Sequence, residues 1–458
     1  MTTTIESLQQ AYFDWTKKSG ELTEKAKKYL PGGDTRGAAY YKPYPAYMNR
    51  AKGCRIYDVD GHEYIDFLNN YTSLIHGHAH PKIIEAVNRQ LQIGTAYAAP
   101  TENQFQLAKM ICERVPSVEQ LRYCSGGSEA TMMAARAARA FTGKQKIMKI
   151  EGGYHGNHDM GEISLVPIPT EAGPFEEPIT LQYDRGLALS AVADTVCTPF
   201  NEPEITEKLI RKHKHELCAL IVEPMMGSLG MIPPKPGYLQ ALRRITKEND
   251  ILLIFDEVIT LRLATGGAQE MFGVMPDLTA MGKIIGGGLP VGAFGGRKDI
   301  MALFDPDTPN FLMHSATFNG NPLTMAAGIA ALAELTPAVY DRINKLGGRL
   351  REGFDTALEE VGIRGQCTGL GSLAAIHFRS EPISNARDTV MGMFEEGPIR
   401  MLLHLCMLRR GIFPAGRQMY VISTPMTETE VNKAVDALTE SLQELKPLIQ
   451  EDYPHLLR

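Results

Sequence analysis

The chain has 458 residues, 44% apolar and 22% charged, with 47 Lys and Arg against 53 Asp and Glu for a formal charge of −6. That length can bury a large core in two or three structural units, and the composition excludes a disordered, fibrous or disulfide-stapled chain. The negative charge argues against a nucleic-acid partner, since the basic cluster Arg211-Lys212-His213-Lys214-His215 lies near Glu204 and Glu207 and reads as a solvated helix face.

Met1 to Trp15 carries Glu6, Gln9, Gln10 and Asp14 among its apolar residues, unlike a signal peptide. From Ile5 to Leu30 the spacing of Leu8, Tyr12, Trp15, Leu22, Ala26 and Leu30 predicts an amphipathic helix, stopped by Pro31-Gly32-Gly33. Arg55 to Asp66 alternates about Asp60-Gly61 and predicts a hairpin of a small α+β subdomain. His76, His78 and His80 alternate as metal ligands can, but no Cys or carboxylate completes the set; turn-capping histidines and no metal are expected. Beyond Pro81, helical stretches alternate with short apolar strands at Ile147–Ile150, Ala219–Val222, Ile251–Phe255 and Leu278–Met281. This is the pattern of a mostly parallel sheet covered on both faces. A helix over Leu323–Leu335 follows, then strands near Leu373–Phe378 and Met419–Ser423 and an amphipathic stretch over Glu428–Leu442. The expected fold class is α/β, with a large domain over residues 71–330 and a smaller α+β domain built from 1–70 and 331–458. No 18-residue apolar run offers a membrane span. The seven cysteines are odd in number, scattered and without a C-x-x-C pair, as expected of reduced thiols in a cytoplasm.

The chemistry concentrates at the ends of these elements. Gly126-Gly127-Ser128, before the alanine-rich helix running to about Phe141, offers backbone N–H groups and a hydroxyl at a helix N-terminus, where a phosphate can bind. Its lack of a Gly-Lys-Ser/Thr ending separates it from a P-loop, and no G-x-G-x-x-G stands between strand and helix. Tyr154, in Tyr154-His155-Gly156, follows a strand and can stack on a planar ring. Val258 is the candidate for the ring's other face, and Thr317 could give a phosphate another hydroxyl. Asp256 ends the strand Ile251–Phe255, and 27 residues later Lys283 stands between an apolar stretch and Gly286-Gly287-Gly288. This pairing suits pyridoxal phosphate: a carboxylate keeps the pyridine nitrogen protonated, and a partly desolvated lysine amine forms the Schiff base and shuttles protons.

Taken together, Leu30-Pro31-Gly32-Gly33, Tyr57-Asp58-Val59-Asp60-Gly61, Gly77-His78-Ala79-His80-Pro81, Ser128-Glu129-Ala130, Gly153-Tyr154-His155-Gly156, Val222-Glu223-Pro224, Asp256-Glu257-Val258, Gly282-Lys283-Ile284-Ile285-Gly286-Gly287-Gly288 and Thr317-Phe318-Asn319-Gly320-Asn321 resemble class III aminotransferases of fold type I over nearly the whole chain. Within them the resemblance is to the glutamate-1-semialdehyde aminomutase and β-phenylalanine aminotransferase branch. It implies catalysis by Lys283 and Asp256. Gly126, Gly127, Ser128, Tyr154, His155 and Val258 would join them around pyridoxal phosphate, and Thr317 would reach the phosphate of a second subunit in an obligate homodimer with shared sites. Where relatives read Asn-Ser-Gly-Thr-Glu-Ala, this chain reads Ser125-Gly126-Gly127-Ser128-Glu129-Ala130, which implies weaker phosphate binding. Mutases of the branch carry an arginine at the position of Ala39. Asp34-Thr35-Arg36 instead resembles the Asn-Thr-Arg of β-amino-acid aminotransferases, with Arg417 as the second arginine and Tyr71 grouped with the substrate. Guanidinium forks suit the carboxylates of a β-amino donor at Arg36 and of a 2-oxo acid acceptor at Arg417. The implied reaction moves an amino group from a β-amino acid such as β-phenylalanine to 2-oxoglutarate or pyruvate. The alternatives are an aminomutase, an ω-amine transaminase, or a non-catalytic protein that binds the cofactor.

Overall fold

The computed structural model describes residues 4–458. The chain divides into two compact units: a larger one of Pro81–Asp341 with Ile383–Met391, and a smaller one of the segment ending at His80 with Arg342–Pro382 and Gly392–Arg458. Among the described residues no single helix is long and apolar enough to cross a membrane.

Seven strands form the sheet of the larger unit, in the spatial order Gln120–Cys124, Gly292–Gly296, Leu278–Gly282, Leu252–Asp256, Leu217–Val222, Lys146–Ile150 and Thr195–Thr198. Only Gly292–Gly296 runs against the others. The central strands Leu217–Val222, Leu252–Asp256 and Leu278–Gly282 are buried at every position, which is why they read as continuous apolar runs rather than alternating ones. The helix Gly127–Thr142 covers one face with Ala130, Ala134, Ala137 and Ala138, packed in one core with Ile254, Ala280 and Phe294. Because six strands share a direction, Cys124, Ile150, Val222, Asp256 and Gly282 end on the same edge of the sheet, where open α/β sheets bind their ligands.

Three of the strands escape a sequence reading. Gly292-Ala293-Phe294-Gly295-Gly296 is too rich in glycine for strand propensity to mark it. Its glycines are needed for close approach: a Cβ on Gly292 would stand 2.0 Å from the Gly126 carbonyl oxygen and one on Gly296 2.2 Å from that of Asp277. Gln120–Cys124 and Thr195–Thr198 are short sheet-edge strands without an apolar run.

The segment Ile383–Met391 is held to its unit by a buried ion pair. Arg387 grips Glu151 bidentately, Nε to Oε2 at 3.1 Å and Nη2 to Oε1 at 3.0 Å, and also donates to the carbonyls of Ala172 and Gly173. Asn201 Nδ2 donates to the Ser384 carbonyl, and Thr389 Oγ1 to that of Leu229.

In the smaller unit, Met48–Lys52, Arg55–Asp58 and Glu63–Asp66 pair antiparallel in sequence order, and Ile412–Phe413 adds to the last of them in parallel. A second sheet joins Gln366–Thr368, Leu373–His377 and Met419–Val421. The single helix expected over Ile5–Leu30 is instead two, Ile5–Trp15 and Lys17–Ala26. Thr16 breaks it at φ −118°, ψ 45°, fully buried, with its hydroxyl donating to the Tyr12 carbonyl. A β-branched residue with a competing hydroxyl makes a poor helix interior.

Truncating Arg387 would leave Glu151 buried without its counter-charge. Arg387→Leu is expected to lower stability by about 3–5 kcal/mol, read as a fall in the urea midpoint. Arg387→Lys, which keeps the charge but loses the fork, should fall between the two.

Candidate active site

In the larger unit the chemistry gathers where Leu252–Asp256 and Leu278–Gly282 end. Asp256 is buried and its Oδ2 lies 2.8 Å from Nδ1 of His155, while Oδ1 accepts from the Val258 N–H at 3.1 Å. Burial pushes the His155 pKa down against the opposing pull of Asp256, so the ring is a neutral imidazole donating Nδ1–H to the carboxylate. Glu223 follows the next strand, Leu217–Val222. It accepts N–H bonds from Tyr154 at 3.2 Å and Gly227 at 3.1 Å. Burial raises its pKa, the nearby charge of Asp256 raises it further, and Lys283 draws it down. The three groups therefore share one electrostatic field at the strand ends. Lys283 has φ +49°, a left-handed conformation that costs a non-glycine residue about 1–2 kcal/mol. It opens the 3₁₀ turn Lys283–Gly286 straight after Gly282.

Gly126 caps the helix Gly127–Thr142 without any side-chain bond to its first N–H groups. Its Cβ direction is empty for 4 Å, whereas a Cβ on Gly127 would stand 3.0 Å from Val258 Cγ1. Val258 thus lies against the Gly127 backbone, and also against Gly282, 3.5 Å from where a Cβ would be. Ser128 Oγ accepts the Asn157 N–H at 3.1 Å, and Gly156, at φ +104°, passes so close to Ser128 that a Cβ would stand 2.3 Å from its Cα. Tyr154 donates its hydroxyl to Asn157 Oδ1. The Gly126–Ser128 turn and the Tyr154 loop are thereby one packed assembly. Thr317 is exposed, in the loop before Pro322–Glu334.

The substrate candidates lie together in the smaller unit. The guanidinium carbons of Arg36 and Arg417 stand 5.3 and 5.4 Å from the centre of one ring, that of Tyr71. Arg36 also donates to Asn70 Oδ1 at 2.6 Å, and the Tyr71 hydroxyl to the Ala38 carbonyl. Tyr71 is aimed by strain, because Asn69, Asn70, Tyr71 and Thr72 all have φ between +47° and +74°. Asp66 Oδ1 accepts the N–H groups of Leu68 and Asn69, and Asn69 Nδ2 donates to the Val421 carbonyl at 2.8 Å. These buried bonds hold the left-handed run.

Several working residues gave no sequence signal of their role. Glu223 stands in a family motif without any mark that it is buried beside Asp256. Lys149 looks like an alternating surface lysine in Lys146-Ile147-Met148-Lys149-Ile150, yet it is fully buried. It donates to the carbonyls of Gly153 and Ile163, fastening both ends of the Tyr154-His155 loop, and burial pushes its pKa down to about 8. Glu257, the acid next to Asp256, is structural. It accepts from Thr260 Oγ1 and from the N–H groups of Ala268 and Gln269, which start the helix Gly267–Phe272.

The fit of a phosphate-bearing cofactor can be judged at Gly126. A helix start without a side-chain cap and with open space before it suits an anion, and the buried Asp256 carboxylate suits a protonated ring nitrogen. At φ −163° Gly126 has an extended backbone open to any residue. Gly126→Ser, which adds a hydroxyl at the helix start, is therefore expected to tighten pyridoxal phosphate binding by about 3- to 10-fold. Gly156→Ala, which must displace Ser128, should weaken it by at least as much. Spectrophotometric titration of the apo-proteins reads both.

The chain matches the family model "Aminotransferase class-III" over residues 37–446. It is 41% identical over 429 residues to a glutamate-1-semialdehyde 2,1-aminomutase of Methanobrevibacter smithii, covering 93% of this chain and 98% of that one. Its structure superposes on that of an omega-transaminase from Sphaerobacter thermophilus with a TM-score of 0.90 at 46% identity, covering 93% and 98% of the two chains. A β-phenylalanine aminotransferase from Variovorax paradoxus gives 0.87 at 35% identity, covering 97% of each. The chain belongs to the class III aminotransferases, enzymes of fold type I whose cofactor is pyridoxal phosphate.

Proposed function

We propose that this protein is an ω-type transaminase, taking the amino group of a donor whose amine is not α to its carboxylate and passing it to a 2-oxo acid. The observation that carries this reading is the pair of guanidiniums on Tyr71: two carboxylate-binding groups, one for each substrate. The 46%-identical omega-transaminase supports it. A second reading, an aminomutase that shifts an amino group within one molecule, is supported by the relatives at 38–41% identity. The comparisons favour these two readings over the narrower one of a β-amino-acid donor, which rests on Asp34-Thr35-Arg36 and the 35%-identical β-phenylalanine enzyme.

Gly126, Gly127 and Ser128 would hold the cofactor's phosphate, with Tyr154 and Val258 on its ring faces. His155 would orient Asp256, which would keep the ring nitrogen protonated. When bound, pyridoxal phosphate supplies an electron sink for the pair left when the substrate's C–H proton departs. Lys283 would carry that proton, its Nζ taking it from one carbon and returning it to another. Glu223, its pKa raised by burial, adds little competing negative charge beside Asp256 near neutral pH.

The enzyme is proposed to work as a homodimer, with Thr317 acting at the second subunit's phosphate. Leu91, Ile93, Tyr97 and Phe105 are exposed, as are Phe311, Met313 and Phe318. Hydrogen bonds from Asn321 Nδ2 to the Thr95 carbonyl and from Gln104 Nε2 to that of Gly320 tie these two segments together. So much exposed apolar surface in adjoining segments is the mark of an interface. All seven cysteines are free, which fits a reducing cytoplasm.

Lys283→Ala is expected to abolish turnover, and Asp256→Asn to keep the fold while losing most activity. Unchanged turnover in either would remove that residue from the chemistry. Donor and acceptor half-reactions should separate the arginines: Arg36→Ala impairs the donor reaction and Arg417→Ala the acceptor reaction. A lost charge-assisted contact is worth about 10- to 150-fold in kcat/KM for the affected substrate. Assayed on α-amino acids, β-amino acids and simple amines, the enzyme should require a 2-oxo acid acceptor. Full turnover of an amino-aldehyde without one would establish the aminomutase instead.

A further inference from the structure

Of the histidines between His76 and His80, His78 binds a carboxylate instead of capping a turn. Its backbone is pinned first: the His78 N–H donates to the Gly53 carbonyl at 2.7 Å, and the Gly53 N–H to the His78 carbonyl at 2.9 Å. Gly77, at φ +68°, runs so close that a Cβ there would stand 2.4 Å from the Gly53 oxygen. The ring is thereby set against Asp66, with Nε2 2.7 Å from Oδ2. A carboxylate oxygen only accepts, so Nε2 carries the proton and donates it.

Asp66 is 3% exposed, and its other oxygen, Oδ1, takes the N–H groups of Leu68 and Asn69 at 2.9 and 2.8 Å. These two residues lead into the left-handed run, with φ +50° at Asn69, +47° at Asn70, +54° at Tyr71 and +74° at Thr72. The run carries Asn70 Oδ1, which accepts from Arg36 at 2.6 Å, and the Tyr71 ring on which both guanidiniums lie. Arg36, Asp66, Asn70, Tyr71 and His78 line one cavity of about 680 Å³. Positive φ is unfavourable for Tyr and Thr, so such a run lasts only while its surroundings hold it. A buried carboxylate held on Oδ1 alone would turn toward another donor, and the Leu68 and Asn69 N–H groups would lose their fixed acceptor. His78 removes that freedom by fixing Oδ2.

We propose that His78 is a positioning residue for the substrate carboxylates: by fixing Asp66 it holds the Asn69–Thr72 run, and with it the Tyr71 ring on which Arg36 and Arg417 lie. The proposal rests on the reading of these arginines as the carboxylate sites. In this role His78 acts through Asp66 and needs no contact with the substrate.

Two amide substitutions that differ by one methylene separate the hydrogen bond from the rest of the side chain. His78→Gln places its amide N–H near the position of Nε2 and keeps the bond to Asp66; His78→Asn places it near that of Nδ1 and loses the bond. The probes are 3-phenylpropanoate, which has a carboxylate and no amine to react, and its uncharged analogue 3-phenylpropanamide, titrated calorimetrically into the pyridoxal-phosphate-loaded enzymes. His78→Asn is expected to weaken the carboxylate by about 2- to 30-fold and to leave the amide and the cofactor's affinity unchanged, while His78→Gln binds both probes as wild type does. Because Tyr71 serves both guanidiniums, His78→Asn should also lower kcat/KM for donor and acceptor together, through KM and not kcat. A loss shared equally by the two probes, an unchanged carboxylate in His78→Asn, or a His78→Gln as weak as His78→Asn overturns the proposal. Arg36→Ala and Arg417→Ala test the carboxylate reading itself: if neither weakens 3-phenylpropanoate, or if wild type does not favour the carboxylate over the amide, that reading fails and the proposal falls with it. If they do weaken it and His78→Asn does not, only His78 loses its role.

Discussion

Burial of Asp256 at the end of an all-apolar strand is the constraint on which the larger unit's site depends. A carboxylate in such a place is expensive unless its lone pairs are used. Here one oxygen takes the Val258 N–H and the other the Nδ1–H of His155, itself so buried that its own charged form is disfavoured. The neutral imidazole therefore satisfies the carboxylate without cancelling its charge. That charge then acts on its surroundings, since it is one reason why the Glu223 pKa is raised while Lys283 pulls it back. Burial, one neutral donor and one neighbouring acid together leave a single strong negative charge at the sheet edge.

The loop that brings His155 to Asp256 has its own support. Lys149 lies under it with its amine on the carbonyls of Gly153 and Ile163, and Gly156 touches Ser128 too closely for any side chain. Movement of the Tyr154 loop would drag the Gly126–Ser128 turn with it, and the reverse. A buried lysine without a carboxylate hydrogen-bond partner is costly, as its lowered pKa shows. Its three carbonyl acceptors, Gly153, Gly161 and Ile163, are drawn from the stretch that must hold a fixed shape. Stability is given up there for geometry.

Much of this was legible in the sequence because it follows from one rule: a reactive residue directly after an apolar strand emerges at the sheet edge. Asp256, Lys283 and Tyr154 obey it, and they follow strands that share a direction; Gly126-Gly127-Ser128 is legible instead as the start of the alanine-rich helix. What stayed hidden depends on contacts between distant segments. Gly292–Gly296 is a strand because its neighbours' backbones need the space that side chains would fill. Thr16 interrupts an otherwise good helical pattern through a local hydroxyl bond and burial against Tyr44. Lys149 and Glu223 carry charges whose burial no periodicity reveals. The left-handed run Asn69–Thr72 is the extreme case, since neither Tyr71 nor Thr72 favours that conformation and bonds to distant residues, Asp66, the Val421 and Ala38 carbonyls and Arg36, help to hold it there.

That run also bears on how two like charges can share one ring. Arg36 and Arg417 both stand about 5 Å from the centre of Tyr71, so each guanidinium meets an aromatic ring as well as the other's repulsion. An aromatic cushion satisfies a cation only in part, because it offers no acceptor to the N–H fork. Each also donates to a neutral group: Arg36 to Asn70 Oδ1 and Arg417 to Met419 Sδ. The repulsion between the two cations would fall as a carboxylate arrives. Two arginines on one tyrosine fixed by strain would in this way make a better anion receptor than either on a flexible loop, since the ordering of Tyr71 that binding would otherwise require is already met in folding.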